Sequence, residues 1–128
     1  MEKLLNKKVL IVDDEPVIRI LLRHTLERLD SQLDVSLAEG GEEGLALVYE
    51  DHPDLIFLDV MMPDINGYEV CRRVKAYSKD IYVILLTAKG EEIDKQLGID
   101  AGADEYITKP FDPDLITRRV AAVLNLSL

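Results

Sequence analysis

At 128 residues the chain has the size of one domain with a full hydrophobic core, and 48% hydrophobic with 31% charged residues excludes a disordered chain. The formal net charge of -10, from 25 acids against 15 bases, excludes a broad basic face, so no direct nucleic acid binding is expected of this domain. No apolar run reaches the roughly 18 residues of a membrane span, "MEKLLNKKVLIVDDE" carries no secretory signal pattern, and Cys71 has no second cysteine to pair with, so no membrane association and a reducing cytoplasmic setting are expected.

In chain order, "KVLIV" from Lys8 to Val12 predicts a first strand, and Pro16 suits the first position of a helix. Ile18, Leu21, Leu22, Thr25, Leu26 and Leu29 then repeat on one face of that helix. Val35 to Ala38 predicts a second strand before a helix over about 41–51, and "LIFL" from Leu55 to Leu58 a third before a helix over about 66–77. "IYVILL" from Ile81 to Leu86 predicts a fourth strand and residues 91–100 a fourth helix, stopped by the glycine of "AGAD". Tyr106 to Thr108 and residues 112–125 predict the last strand and helix. The first, third and fourth runs lack alternation, as strands covered on both faces do. Five strand–helix units imply an α/β fold whose parallel sheet is covered on both faces by right-handed crossovers. With no repeat, low-complexity stretch or linker, residues 1–128 are expected to form a single domain.

The strands end in chemistry. The first ends in Asp13-Asp14-Glu15, the third in Asp59, the fourth in Thr87 and the fifth in Lys109-Pro110. Open parallel sheets bind ligands beyond the carboxyl ends of their strands, where the strand order reverses. If strands one and three flank that point, Asp13, Asp14 and Asp59 converge there, with Thr87 and Lys109 reaching in. Carboxylates so close raise one another's pKa unless a cation neutralises them, and Mg²⁺ does so while keeping waters that a phosphate can replace. With the Lys109 ammonium and the Thr87 hydroxyl, the pocket suits phosphoryl transfer, and Asp59 is its nucleophile, forming an acyl phosphate. Taken singly, Asp13 to Glu15 read equally well as acids at a helix N-terminus; the coincidence of all five residues at strand ends is what that reading lacks.

"VLIVDDEP", "LIFLDVMMPDINGYEV", "ILLTAKGEE" and "GIDAGADEYITKPF" resemble, in order and over nearly the whole chain, the CheY-like receiver domain of two-component response regulators. The resemblance implies a flavodoxin-like fold with strand order 2-1-3-4-5. It implies that Asp59 accepts a phosphoryl group from a histidine kinase or phosphotransfer protein. Asp13, Asp14, Asp59 and the backbone carbonyl of Met61 would hold Mg²⁺, Thr87 and Lys109 would bind the phosphoryl group, and the bond before Pro110 would be cis. Tyr106, otherwise a half-buried strand aromatic, would turn inward as Thr87 is drawn to that group. The face of the fourth helix, fifth strand and fifth helix would address an output domain or partner and could form a homodimer on phosphorylation. Lys95, Glu105 and Arg119 fall where charges of such dimers fall, whereas Leu115 stands where an acid is usual. Met61 and Lys89, two residues after Asp59 and Thr87, occupy positions that tune hydrolysis, and a fairly stable phosphoprotein is expected. No turnover of a separate substrate is expected.

Other classes fit less well. A phosphatase of the haloacid dehalogenase type wants an acid two residues after its nucleophile, where this chain has Met61, and a flavin carrier wants a hydroxyl- and glycine-rich loop where it has "DDEPV". A pseudo-receiver acting by contact alone would have lost site members, and none is missing. His24 and His52 lie away from the predicted crevice, and Cys71 is expected to pack as a small hydrophobe. A free-standing receiver and a fragment of a longer regulator would read identically.

Overall fold

The computed structural model describes residues 6–88 and 95–126. Five strands, β1 (Lys8–Val12), β2 (Asp34–Ala38), β3 (Leu55–Asp59), β4 (Tyr82–Ala88) and β5 (Glu105–Lys109), form one parallel sheet in the order β2-β1-β3-β4-β5. Five helices alternate with them: α1 (Pro16–Leu29), α2 (Gly41–Asp51), α3 (Gly67–Tyr77), α4 (Lys95–Ala101) and α5 (Pro113–Leu124).

The period of two along the central strands divides the core into two layers. Leu10, Val12, Ile56, Leu58, Val83 and Leu85 pack with Leu45, Val48, Val70, Cys71 and Val74 of α2 and α3. Val9, Ile11, Leu55, Phe57, Ile84 and Leu86 point the other way and meet Leu22 and Leu26 of α1 and Ile116, Val120 and Leu124 of α5. Both faces are therefore dry, which is why these strands read as unbroken apolar runs; burying a side chain such as Phe57 contributes about 1.5–3 kcal/mol. Cys71 is buried as a small hydrophobe.

The ends of elements differ from the sequence reading for local reasons. Asn66 and Asp112 lie outside α3 and α5 because each caps its helix, accepting from the backbone N–H of Glu69 and Asp114. Asn125, in the left-handed region at φ 59°, ends α5 one residue early. Strands β4 and β5 run on past their apolar residues because the parallel ladder pairs Thr87 with Thr108 and Ala88 with Lys109, and backbone pairing needs no apolar side chain. Of the fourth predicted helix, residues 91–94 lie outside the described residues.

Two contacts fix the loop that follows β3. Gly67 lies so close to the strand end that a Cβ there would sit 2.3 Å from the carbonyl oxygen of Asp59. Asp64 reaches across to α2, where its carboxylate accepts from the backbone N–H groups of Gly41 (3.1 Å) and Glu42 (2.9 Å) and caps a helix whose own N-cap is glycine. These N–H groups, Glu42 foremost, hold the Asp64 carboxyl below the usual range.

Candidate functional site

The chain leaves β1 toward β2 on one side and later sets β3 on the other, so the order reverses between β1 and β3. Asp13 follows the last residue of β1, and Asp59 is the last residue of β3. Carboxylate oxygens of Asp13, Asp14 and Asp59 lie within 4.8 Å of one another. From β5, Lys109 Nζ reaches Glu15 Oε1 at 2.7 Å, Asp13 Oδ2 at 3.1 Å and Asp59 Oδ1 at 3.5 Å. The Lys109–Pro110 peptide bond is cis.

Among the described residues five buried side chains are polar, and four belong to this rim: Asp13 at 0% exposure, Thr87 at 1%, Asp59 at 4% and Lys109 at 8%. Polar groups are expelled from interiors unless partnered, so this concentration marks a site. Asp13 is fixed on two sides: Oδ1 accepts from the Glu15 N–H at 2.9 Å, and its backbone carbonyl accepts from Arg19 Nη1 at 2.7 Å. Asp59 Oδ1 accepts a longer bond from the Met61 N–H at 3.3 Å. The Thr87 hydroxyl is enclosed, with no hydrogen-bond partner among the described residues.

Electrostatics follow from this crowding. Burial, with the Asp13 charge next, pushes the Asp59 carboxyl up to about 7, against the pull of Lys109. Burial likewise raises Asp13, opposed by the Glu15 N–H and by Lys109. Burial alone would lower the Lys109 ammonium, yet Glu15, Asp13 and Asp59 outweigh it and hold the amine above the ordinary lysine value. An all-oxygen set of carboxylates with excess negative charge is the chemistry that Mg²⁺ takes, and the enclosed Thr87 hydroxyl of β4 and the Lys109 ammonium of β5 are each a donor available to an anion. The residues present fit both groups.

The other predicted residues fall as follows. The Tyr106 ring packs against the core layer under α3, and its hydroxyl lies over Gly98 of α4, where a Cβ would come within 1.6 Å of Oη. Glu105 and Arg119 pair with each other through Nε–Oε2 and Nη2–Oε1 contacts of 2.9 Å, with Tyr82 Oη donating to Glu105 at 2.9 Å. Leu115 packs against the core layer under α5. Lys89 and the side chain of Lys95 lie outside the described residues. Neither histidine joins the rim: His24 lines a groove between α1 and α5, and His52 contacts the Tyr77 hydroxyl at the end of α2.

Sequence reasoning missed the side chain of Glu15. It occupies the N-cap position of α1 but accepts no capping bond, and it pairs with Lys109 instead. A signal was available, because glutamate is not among the residues that cap helices well.

No helix among the described residues is long and apolar enough to cross a membrane. The profile of the response regulator receiver domain family matches residues 9–121. The alkaline phosphatase synthesis transcriptional regulatory protein PhoP of Bacillus subtilis (strain 168) is 48% identical over 123 residues, covering 96% of this chain and 50% of PhoP. The transcriptional regulatory protein ResD of the same organism is 47% identical over 125 residues, covering 98% of this chain and 51% of ResD. The chain thus spans about half the length of these relatives. Among solved structures, the chemotaxis response regulator CheY4 of Vibrio cholerae superposes with a TM-score of 0.81 at 33% identity, over 92% of this chain and 98% of that one. Its fold is the flavodoxin-like arrangement expected from the sequence.

Proposed function

Because this chain belongs to the response regulator receiver domain family of two-component signalling, we propose that Asp59 is its phosphoacceptor, that Asp13, Asp14, Asp59 and the Met61 carbonyl hold Mg²⁺, and that Thr87 and Lys109 bind the incoming phosphoryl group. The observation that carries this reading is the convergence of three carboxylates within 4.8 Å at the reversal of strand order, with one ammonium 3.5 Å from Asp59; near the carboxyl end of the adjoining β4 the Thr87 hydroxyl is enclosed, with no partner among the described residues. Receiver domains typically bind Mg²⁺ at such an acidic pocket, and the ion supplies charge neutralisation for both the carboxylates and the phosphoryl oxygens.

The chain's own residues do the rest. Asp59 must be ionised to attack, which the Lys109 ammonium favours and burial opposes. As an Asp59 Oδ–P bond forms, the P–N bond of a phosphohistidine donor breaks; its electron pair stays on the imidazole nitrogen, which takes a proton from solvent. Lys109 Nζ, 3.5 Å from Asp59 Oδ1, is near enough to pair with a phosphoryl oxygen as charge spreads over that group. The Thr87 hydroxyl gains the acceptor it lacks, and that gain pulls the end of β4 toward Asp59. Tyr106, across the ladder from Leu85, reads this shift on the α4–β5–α5 face, biasing two pre-existing arrangements.

Receiver domains interact with kinases and output domains and are generally not conventional enzymes. For this chain we read the donor as a histidine kinase or phosphotransfer protein, the setting as cytoplasmic, and the domain as turning over no separate substrate. The names of the two Bacillus relatives support a transcriptional output. Exposed, apolar Met61 beside Asp59 supports a long-lived phosphoryl group.

Intact mass after incubation with acetyl phosphate and Mg²⁺, in wild type and Asp59→Ala, tests the reading. One phosphoryl mass that needs both Mg²⁺ and Asp59 is expected. No adduct, or an equal adduct in the variant, would make the domain a phosphorylation-independent interaction module.

A further inference from the structure

Lys109 is held unevenly. Charge-assisted N–H···O bonds run at about 2.7–2.9 Å, and of its three carboxylate contacts only that to Glu15, at 2.7 Å, falls in this range. Asp13 stands at 3.1 Å, and Asp59, at 3.5 Å, is an ion pair rather than a hydrogen bond. Glu15 is also unlike the other two in exposure: 58% of its side chain is open to solvent, against 0% for Asp13 and 6% for Asp59. It stands at the N-cap of α1, where a shorter acid would bond to the helix, yet its carboxylate crosses to β5. Asp13 cannot follow Lys109 anywhere, since the Glu15 N–H and the Arg19 guanidinium both hold it. The ammonium therefore sits between one fixed carboxylate and one free to swing.

We propose that Glu15 is the resting partner of Lys109, a positioning residue that holds the ammonium at the rim until charge arriving on Asp59 draws it inward. The inference rests on Asp59 as phosphoacceptor and adds a residue to that site. A phosphoryl group brings close to two negative charges and three acceptor oxygens beside Asp59. Lys109 Nζ stands 3.5 Å from Asp59 Oδ1, so closing to hydrogen-bond length on the group bound there draws it inward and lengthens the 2.7 Å bond to Glu15 at the outer edge. The Glu15 contact thus stabilises the empty site more than the filled one and opposes filling it. Because Glu15 is mostly in solvent, the opposition is small: exposed ion pairs correspond to about a two- to fivefold change in an equilibrium.

The test compares wild type with Glu15→Gln and Glu15→Asp by NMR. Gln keeps the length and removes the charge; Asp keeps the charge and loses the reach to Lys109. In the metal-free protein the Lys109 Nζ resonance should move in both variants. With Mg²⁺, both should bind beryllofluoride, a phosphoryl mimic, about two- to fivefold more tightly than wild type. An unmoved Nζ resonance, or affinity unchanged or weaker in both, overturns the proposal. So does tighter binding in Glu15→Gln with wild-type affinity in Glu15→Asp, which would reveal a through-space charge effect. Wild type that takes no beryllofluoride overturns the phosphoacceptor reading and this proposal with it, whereas wild type that binds while the variants do not differ from it overturns this proposal alone.

Discussion

The rim beyond β1 and β3 and the face formed by β5 and α5 both carry charge, but they carry it differently. At the rim, Asp13, Glu15 and Asp59 share the Lys109 ammonium, Asp14 stands close to Asp13 and Asp59, and Asp13 and Asp59 are nearly dry. On the β5–α5 face, Glu105 meets Arg119 one to one, with Tyr82 completing the set, in partial contact with water. Acids outnumber cations at the rim among the described residues, and burial, with the Asp13 charge next at Asp59, raises the Asp59 and Asp13 carboxyls. On the face, the Glu105–Arg119 pair is balanced within itself. An unbalanced group of charges can be changed greatly by a ligand; a balanced one makes a stable resting surface.

The first way to break the contrast is to remove the ammonium that the rim's carboxylates share. Lys109→Met leaves the carboxylates facing one another, and metal-free urea melts at pH 8 should show a loss of about 3 kcal/mol, the low end for breaking a buried pair. Asp59→Asn should do the reverse. A carboxyl raised to about 7 in the folded protein, against 3.8 as its ordinary value, binds its proton more tightly when folded. Wild-type stability therefore falls as pH rises from about 4 to about 7, and the full cost is present above that window. Metal-free Asp59→Asn should be more stable than wild type by about 2 kcal/mol at pH 8, and by less at pH 5. Added Mg²⁺ should narrow the gap at pH 8 by stabilising wild type.

Smaller effects sharpen the comparison. Gly98→Ala puts a methyl group where the Tyr106 hydroxyl lies, so the ring must leave its seat or α4 must shift, at a cost of about 1–3 kcal/mol. Adding Tyr106→Phe, which deletes the nearest atom, should recover part of that loss in the same urea melts. Arg119→Ala on the balanced face should cost the least, about 0.5 kcal/mol, and the loss should fade in high salt.

The fold was legible because the strands that matter are covered on both faces. Runs such as "KVLIV" and "LIFL" can hardly be anything but central strands once they alternate with helical segments. Strand ends were less legible, since Thr87, Glu105 and Lys109 join the ladder through their backbones and carry no apolar signal. The acidic rim could be read because position alone, at the carboxyl end of each strand, predicts convergence. What escaped were contacts between side chains far apart in sequence. Glu15 meets Lys109 across 94 residues, and Asp64 caps α2 from 22 and 23 residues away. The seat of Tyr106 escaped too, because a glycine within a helix signals what it lacks only when its neighbour is known. Leu115, which the resemblance sets where an acid is usual, packs against the core.

The central claim is that the rim exists to present Asp59, alone among its carboxylates, to a phosphoryl group. Borohydride reduces an acyl phosphate on aspartate to homoserine, so peptide mapping of borohydride-treated protein after exposure to acetyl phosphate and Mg²⁺ tests this directly. The account predicts homoserine at position 59 and unmodified aspartate at positions 13 and 14. Reduction at position 13 or 14, or at no carboxylate of the rim, would contradict it.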